Sequence, residues 1–179
     1  MTKGDMKKPL LAFIIVTACL CFISYPFGEE FSYAGAQKCK TCHRSEKRGK
    51  QYVLWENSRH SKSYEVLFSE SAQEEAKKQK LEKHPSESPE CLRCHGPLYE
   101  KAPELKAEGV TCEICHGPGS AYKKIKIMKN REEAIKNGLL TYDSVEAIKT
   151  KCQMCHTGEH FDFDSSWEKI KHPIPRIKR

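Results

Sequence analysis

Residues 91–119 read CLRCHGPLYEKAPELKAEGVTCEICHGPG, and within them the word Cys-x-x-Cys-His-Gly-Pro occurs twice, beginning at Cys91 and again at Cys112. Outward from this stretch the shorter word Cys-x-x-Cys-His is found four times: Cys39-Lys-Thr-Cys42-His43, Cys91-Leu-Arg-Cys94-His95, Cys112-Glu-Ile-Cys115-His116 and Cys152-Gln-Met-Cys155-His156. Two intervening residues let one irregular helical turn present both sulfurs to the same edge, with the histidine next in line. That is the requirement for attaching a c-type haem, in which two thiols form thioethers with the porphyrin and the adjoining imidazole meets the iron. Zinc ribbons, thioredoxin-like dithiols and disulfide frameworks also use Cys-x-x-Cys, but none requires histidine after every second cysteine. The four words predict four covalently attached haem c groups. Each haem takes its paired cysteines as attachment points and the histidine of its word (His43, His95, His116 or His156) as its first iron ligand.

The chain has 179 residues and ten cysteines. Eight lie in the words; Cys19 and Cys21 lie in an apolar N-terminal run, so none is left for a disulfide in the remainder. Haem attachment of this type takes place outside the cytoplasm, and the start MTKGDMKKPLLAFIIVTACLCFISYPFGEE supplies the matching export signal: Lys3, Lys7 and Lys8, then apolar residues from Pro9 to Phe27. That run approaches bilayer-crossing length, and Val16-Thr17-Ala18-Cys19 resembles a lipoprotein signal. Residues 1–28 are therefore read as a signal peptide or an N-terminal membrane anchor, with attachment to the membrane as one of its outcomes. Residues 29–179 are read as one tetrahaem domain of the periplasm or cell envelope.

Charged residues make up 31% of the chain, and mean hydropathy is −0.69, a thin supply of apolar side chains for a core. Four flat, largely apolar macrocycles would provide much of the missing buried surface, so the polypeptide is expected to wrap them and the apoprotein to fold poorly. The formal charge of +7 does not imply nucleic acid, since haem propionates offset most of it. Lysines 123, 124, 126 and 129 read first as a solvated face and second as a docking patch for an acidic redox partner.

The words have no fixed period, which excludes a solenoid. Between them the pattern is helical. Gln51 to Phe68 predicts helix, turn and helix, and Ser71 to Lys83 a solvated helix. Asp143-Ser-Val-Glu146 predicts a cap leading a helix into the fourth word, and Ser165-Ser-Trp-Glu168 a cap for a last helix that Pro173 stops. No alternating β pattern is present. The fold class is mainly α and loop-rich, a single small domain around four haems.

Histidines number eight: four in the words and four outside, His60, His84, His160 and His172. Histidine on both faces of an iron gives a closed centre suited to electron transfer, whereas an empty face can bind substrate. His60 and His172 each stand at an expected helix end, where a ring can project towards a neighbouring haem. His160 starts on the proximal side of the fourth haem and would have to serve another iron. His84 precedes the second word in a polar Lys-His-Pro stretch. The count permits four bis-histidine irons with these four as second ligands; Met128 closing one iron, or an open face, remain the alternatives.

Several of these residues together resemble the tetrahaem cytochrome c-554 family: Tyr33-Ala-Gly before the first word, Trp55 and Ser58-Arg-His60 after it, Gly109-Val-Thr-Cys112-Glu-Ile-Cys115-His-Gly-Pro-Gly119, and Phe161-Asp-Phe ahead of Lys-Ile-Lys-His172. The resemblance implies a mostly helical fold with closely packed haems, and electron transfer between periplasmic or membrane redox proteins. It also implies that His60 and His172 are second ligands of the fourth and third haems. The match departs from the family's type member in one place. There a histidine shortly after the third word closes the first haem, whereas Gly117 to Leu140 here contains none. Its second haem lacks a second protein ligand, whereas here His84 lies nearby.

The expected function is thus that of an exported electron carrier, not an enzyme. Its rivals are a haem enzyme acting on nitric oxide or hydroxylamine at an open iron, and a subunit of a conducting filament or membrane redox complex.

Overall fold

Short side-chain caps and frequent glycine and proline cut this chain into brief helices, none long enough to be stable alone. The computed structural model describes residues 31–174; the reading of residues 1–28 as signal peptide or anchor falls outside them. Among the described residues the order is α1 Ala36–His43, α2 Gln51–Glu56, α3 Glu70–Lys78, α4 Pro89–His95, α5 Cys112–His116, α6 Ile125–Met128, α7 Arg131–Lys136, α8 Val145–Gln153 and α9 Phe163–Ile170. Four 3-10 turns lie between them, at Glu46–Arg48, Glu65–Phe68, Pro85–Glu87 and Pro103–Glu108. No strand occurs among these residues, and none of their helices is long and apolar enough to cross a membrane.

Each attachment word ends or follows a helix. His43, His95 and His116 are the last residues of α1, α4 and α5. α8 stops at Gln153, yet the His156 amide still donates to Cys152 O at 3.0 Å, which continues the helical turn through the fourth word. The starts are set by side chains: Thr111 Oγ1 accepts from the Glu113 amide at 3.3 Å before α5, and Ser144 Oγ from the Ala147 amide at 3.1 Å before α8.

Three expected boundaries move. The helix read over Ser71 to Lys83 is α3, which starts one residue earlier and ends at Lys78, before Lys80 turns the chain at φ +55°. The last helix is capped by Asp162, which accepts from the Asp164 amide at 3.1 Å, so α9 begins at Phe163, upstream of the serines read as its cap. The second half of Gln51–Phe68 is a run of turns and a 3-10 turn, so His60 stands in a turn and not at a helix end. Side chains compete for the carbonyls there: Asn57 Nδ2 donates to Val53 O at 2.8 Å, Ser61 Oγ to Ser58 O at 2.9 Å, and Ser63 Oγ to His60 O at 2.8 Å.

The buried apolar set is small and alanine-rich. Tyr52, Leu67, Leu92, Leu98, Tyr122 and Phe163 are its larger members, joined by Ala36, Ala76, Ala102 and Ala134. Phe68, Val66 and Met154, beside or within the second and fourth words, remain about half exposed or more.

Candidate functional site

The fold draws the four words into a row whose order differs from the sequence. The thiols of Cys39 and Cys112 adjoin, and the contact holds Cys39 below the usual thiol range while pushing Cys112 far above it. Cys115 lies close enough to Cys152 to feel its charge. Cys155 is pushed up to about 12 by burial and then by the adjoining Cys94. The words therefore run first, third, fourth, second. None of the eight cysteines is in a disulfide. Among the described residues no three histidines, cysteines or carboxylates converge as a metal cluster, whereas a structural zinc site needs four such ligands together.

Two histidine pairs stand ring to ring. His60 faces His156 with centroids 6.1 Å apart, and His172 faces His116 at 5.8 Å. A metal–imidazole nitrogen bond is about 2 Å long, and a ring nitrogen lies roughly 1.1 Å from its centroid, so two imidazoles on opposite sides of one metal have centroids about 6 Å apart. Both pairs fit that separation. Burial, then the facing histidine, lowers the pKa of His60; burial lowers that of His172; and His116 falls to about 4 through burial, then His172 and His43. Neutral imidazole is the form that binds a metal.

Main-chain and amide groups orient the other two word histidines. His95 Nδ1 lies 2.8 Å from Ser63 O, so Nδ1–H donates and Nε2 is left with its lone pair for a metal. His43 Nδ1 lies 3.3 Å from Gln51 Oε1, and the Gln51 amide donates at 2.9 Å to Pro173 O, next to His172. His156 carries Phe161 stacked on its ring at 4.6 Å.

His84 and His160 are not placed ring to ring with a word histidine. His84 is exposed and turns Nδ1 to Ser86, 2.8 Å from Oγ and 3.3 Å from the amide that donates to it, capping the Pro85–Glu87 turn. Phe68 lies 5.5 Å from its ring. His160 is exposed in the turn after the fourth word, and Met128 ends α6 half-buried. Beside the second word, Cys91, Cys94 and His95 open onto a cleft of about 410 Å³ with Val66, Leu67 and Ala76 on its apolar wall.

Four residues without a metal-binding role on sequence grounds hold this arrangement together. Glu113, inside the third word and 1% exposed, accepts from the Ala34, Gly35 and Gly119 amides at 2.6–3.1 Å. Ser63 links the second word to the segments beside the third and fourth: its hydroxyl bonds His60 O and accepts from the Val110 amide at 3.0 Å, while its carbonyl receives His95. Gly109, at φ +68°, passes so close that an added Cβ would lie 2.5 Å from Ser63 Oγ and 2.6 Å from His60 O. Trp55 Nε1 donates to Val110 O at 2.8 Å, fastening the same segment to α2. The Gly-Val-Thr lead into the third word was the available signal for Gly109; nothing in the sequence marks Ser63 apart from its neighbours.

Comparison with known proteins gives two matches. The family described as cytochrome c554 and c-prime matches residues 38–117, which contain the first three words. Cytochrome c-554 of Nitrosomonas europaea is 26% identical over 161 residues, covering 79% of this chain and 63% of that protein, so the match spans less than two thirds of the relative's length. No solved structure matches.

Proposed function

Taking as premise the membership of the cytochrome c554 family that both similarities support, we propose that this chain is an exported tetrahaem c-type cytochrome that carries electrons between redox proteins of the periplasm or membrane. The observation that carries the reading is the pair of facing histidines, His60 with His156 and His172 with His116, at the separation of two imidazoles sharing one metal. The eight paired cysteines attach the haems, and the domain read over residues 29–179 wraps them. When bound, the haems supply one-electron sites whose change of charge requires little rearrangement at a bis-histidine iron.

The chain's own residues set the conditions. Burial keeps His60 and His116 neutral, and Ser63 O fixes the His95 tautomer with Nε2 outward. The adjoining Cys39 and Cys112, then Cys115 and Cys152, then Cys94 and Cys155, support a continuous row for conduction from the first word to the second. By count, His84 and His160 are assigned to the irons of the first and second words. The cleft beside His95, which no second histidine lines, favours a second reading in which the iron of the second word is open and acts on nitric oxide or hydroxylamine.

Intact mass of protein made in a host competent in cytochrome c maturation should show four haem additions that survive acid and organic extraction. His60→Ala and His172→Ala should each keep all four and gain a high-spin signal. Fewer than four additions overturns the count, and unchanged spectra in a variant remove that histidine from the ligand set. Carbon monoxide separates the two readings: a ferrous protein that ignores it has four closed irons, whereas a shift in about one haem in four opens one.

A further inference from the structure

The two ends of the row differ in charge. From Lys38 to Lys50, around the first word, six residues are basic (Lys38, Lys40, Arg44, Lys47, Arg48 and Lys50) and one, Glu46, is acidic. All but the half-buried Lys40 are exposed. Glu46 is taken up by Lys50 at 2.5 Å, and Lys40 Nζ lies over the Tyr52 ring. A shallow concavity of about 500 Å³ lined by Gln37, Lys40, Thr41, Arg44 and Ser45 opens among them. Around the second word the charges nearly balance: Glu82, Glu87, Glu90, Glu100 and Glu104 stand against Lys83, Arg93, Lys101 and Lys106, whose carbonyl packs on Gly96. Haem carboxylates would lower both ends alike and leave the contrast standing.

An electron enters or leaves a row of centres most directly at an end, and like-signed charge clustered there steers an oppositely charged partner into contact. We propose that the exposed basic surface around the first word is the docking port for an acidic redox protein, which exchanges one electron with this end of the row, while the near-balanced second-word end offers it no comparable field. The proposal rests on the tetrahaem reading above and names the partner class for one end of it.

The test uses the fully reduced holoprotein and an oxidised acidic blue-copper protein as probe, with a basic one for comparison. At low salt the acidic probe should react about tenfold or more faster than the basic one, and that advantage should collapse as salt screens the field. Lys47→Glu/Arg48→Glu, on the exposed 3-10 turn, should cut the low-salt rate with the acidic probe about tenfold, whereas Glu87→Lys/Glu104→Lys at the other end should leave it within about twofold. Equal wild-type rates for the two probes, or a loss produced equally by both charge reversals, overturns the port. Binding of the patch to vesicles containing anionic lipid, together with a salt-independent rate towards the acidic probe, overturns it in favour of a membrane contact. Haem content is read first by mass: fewer than four haems sinks the tetrahaem reading itself, while a four-haem protein indifferent to probe charge sinks only the port.

Discussion

Ser63 shows how much a single residue can carry without touching a metal. Its hydroxyl bonds the His60 carbonyl while its own carbonyl orients the His95 ring, so one residue sets a facing histidine of the fourth word and the tautomer of the second word's histidine. Gly109 makes that junction possible, because any Cβ at its left-handed φ would strike Ser63 and the His60 carbonyl. Gly109→Ala should therefore destabilise the holoprotein by about 1–3 kcal/mol through backbone strain alone. It should also disturb the spectra of the second and fourth centres and spare the third. Urea unfolding followed by haem absorption checks the first expectation, and resolved magnetic spectra of the four centres check the second. The words were fully legible in the sequence because covalent chemistry dictates their spacing. Ser63 was not, because a serine in a polar run looks like every other serine until a distant ring reaches its carbonyl.

For individual elements, the sequence foretold what local chemistry decides. The helix into the fourth word and its serine cap follow from Ser144, and the absence of alternation matches the absence of strands among the described residues. Where several polar side chains compete, the reading slipped: Asp162 took the cap of α9 from the serines behind it, and hydroxyl and amide groups after α2 turned an expected helix into turns. The third word depends on its buried carboxylate. Glu113→Gln would place an amide N–H₂ among the donors from Ala34, Gly35 and Gly119, and should cost about 1–3 kcal/mol for the unmet groups. The loss should appear as a lower urea midpoint with all four haems retained. A midpoint matching wild type would mean that the N-terminal segment contributes nothing to holding α5.

The protein as a whole is short of polypeptide core. Its larger buried apolar residues are few and its helices brief, so a Cys112→Ala or Cys115→Ala variant should accumulate poorly instead of folding with three haems. Pulse labelling during export, followed by immunoprecipitation, measures that loss directly. Acid should weaken the fold through its histidines. An unfolded chain takes up a proton on histidine near pH 6.5, whereas folded His116 resists until about 4, chiefly through burial. The unfolded state then binds more protons across that window, and stability falls as pH drops through it. The urea midpoint of the holoprotein should decline from pH 7 to pH 5; a flat profile would mean that folded His116 takes up a proton as readily as the unfolded chain.

The spatial order of the words also bears on how the molecule is made. A chain exported from its N-terminus presents the first and second words early, yet they lie at opposite ends of the row, and the third and fourth words that join them follow later. His60 emerges long before its facing partner His156, and His116 long before His172. If the chain is exported as proposed, neither pair is completed until its later stretch has crossed, and the maturation machinery would handle an intermediate whose earliest groups wait unpaired for the closing segment.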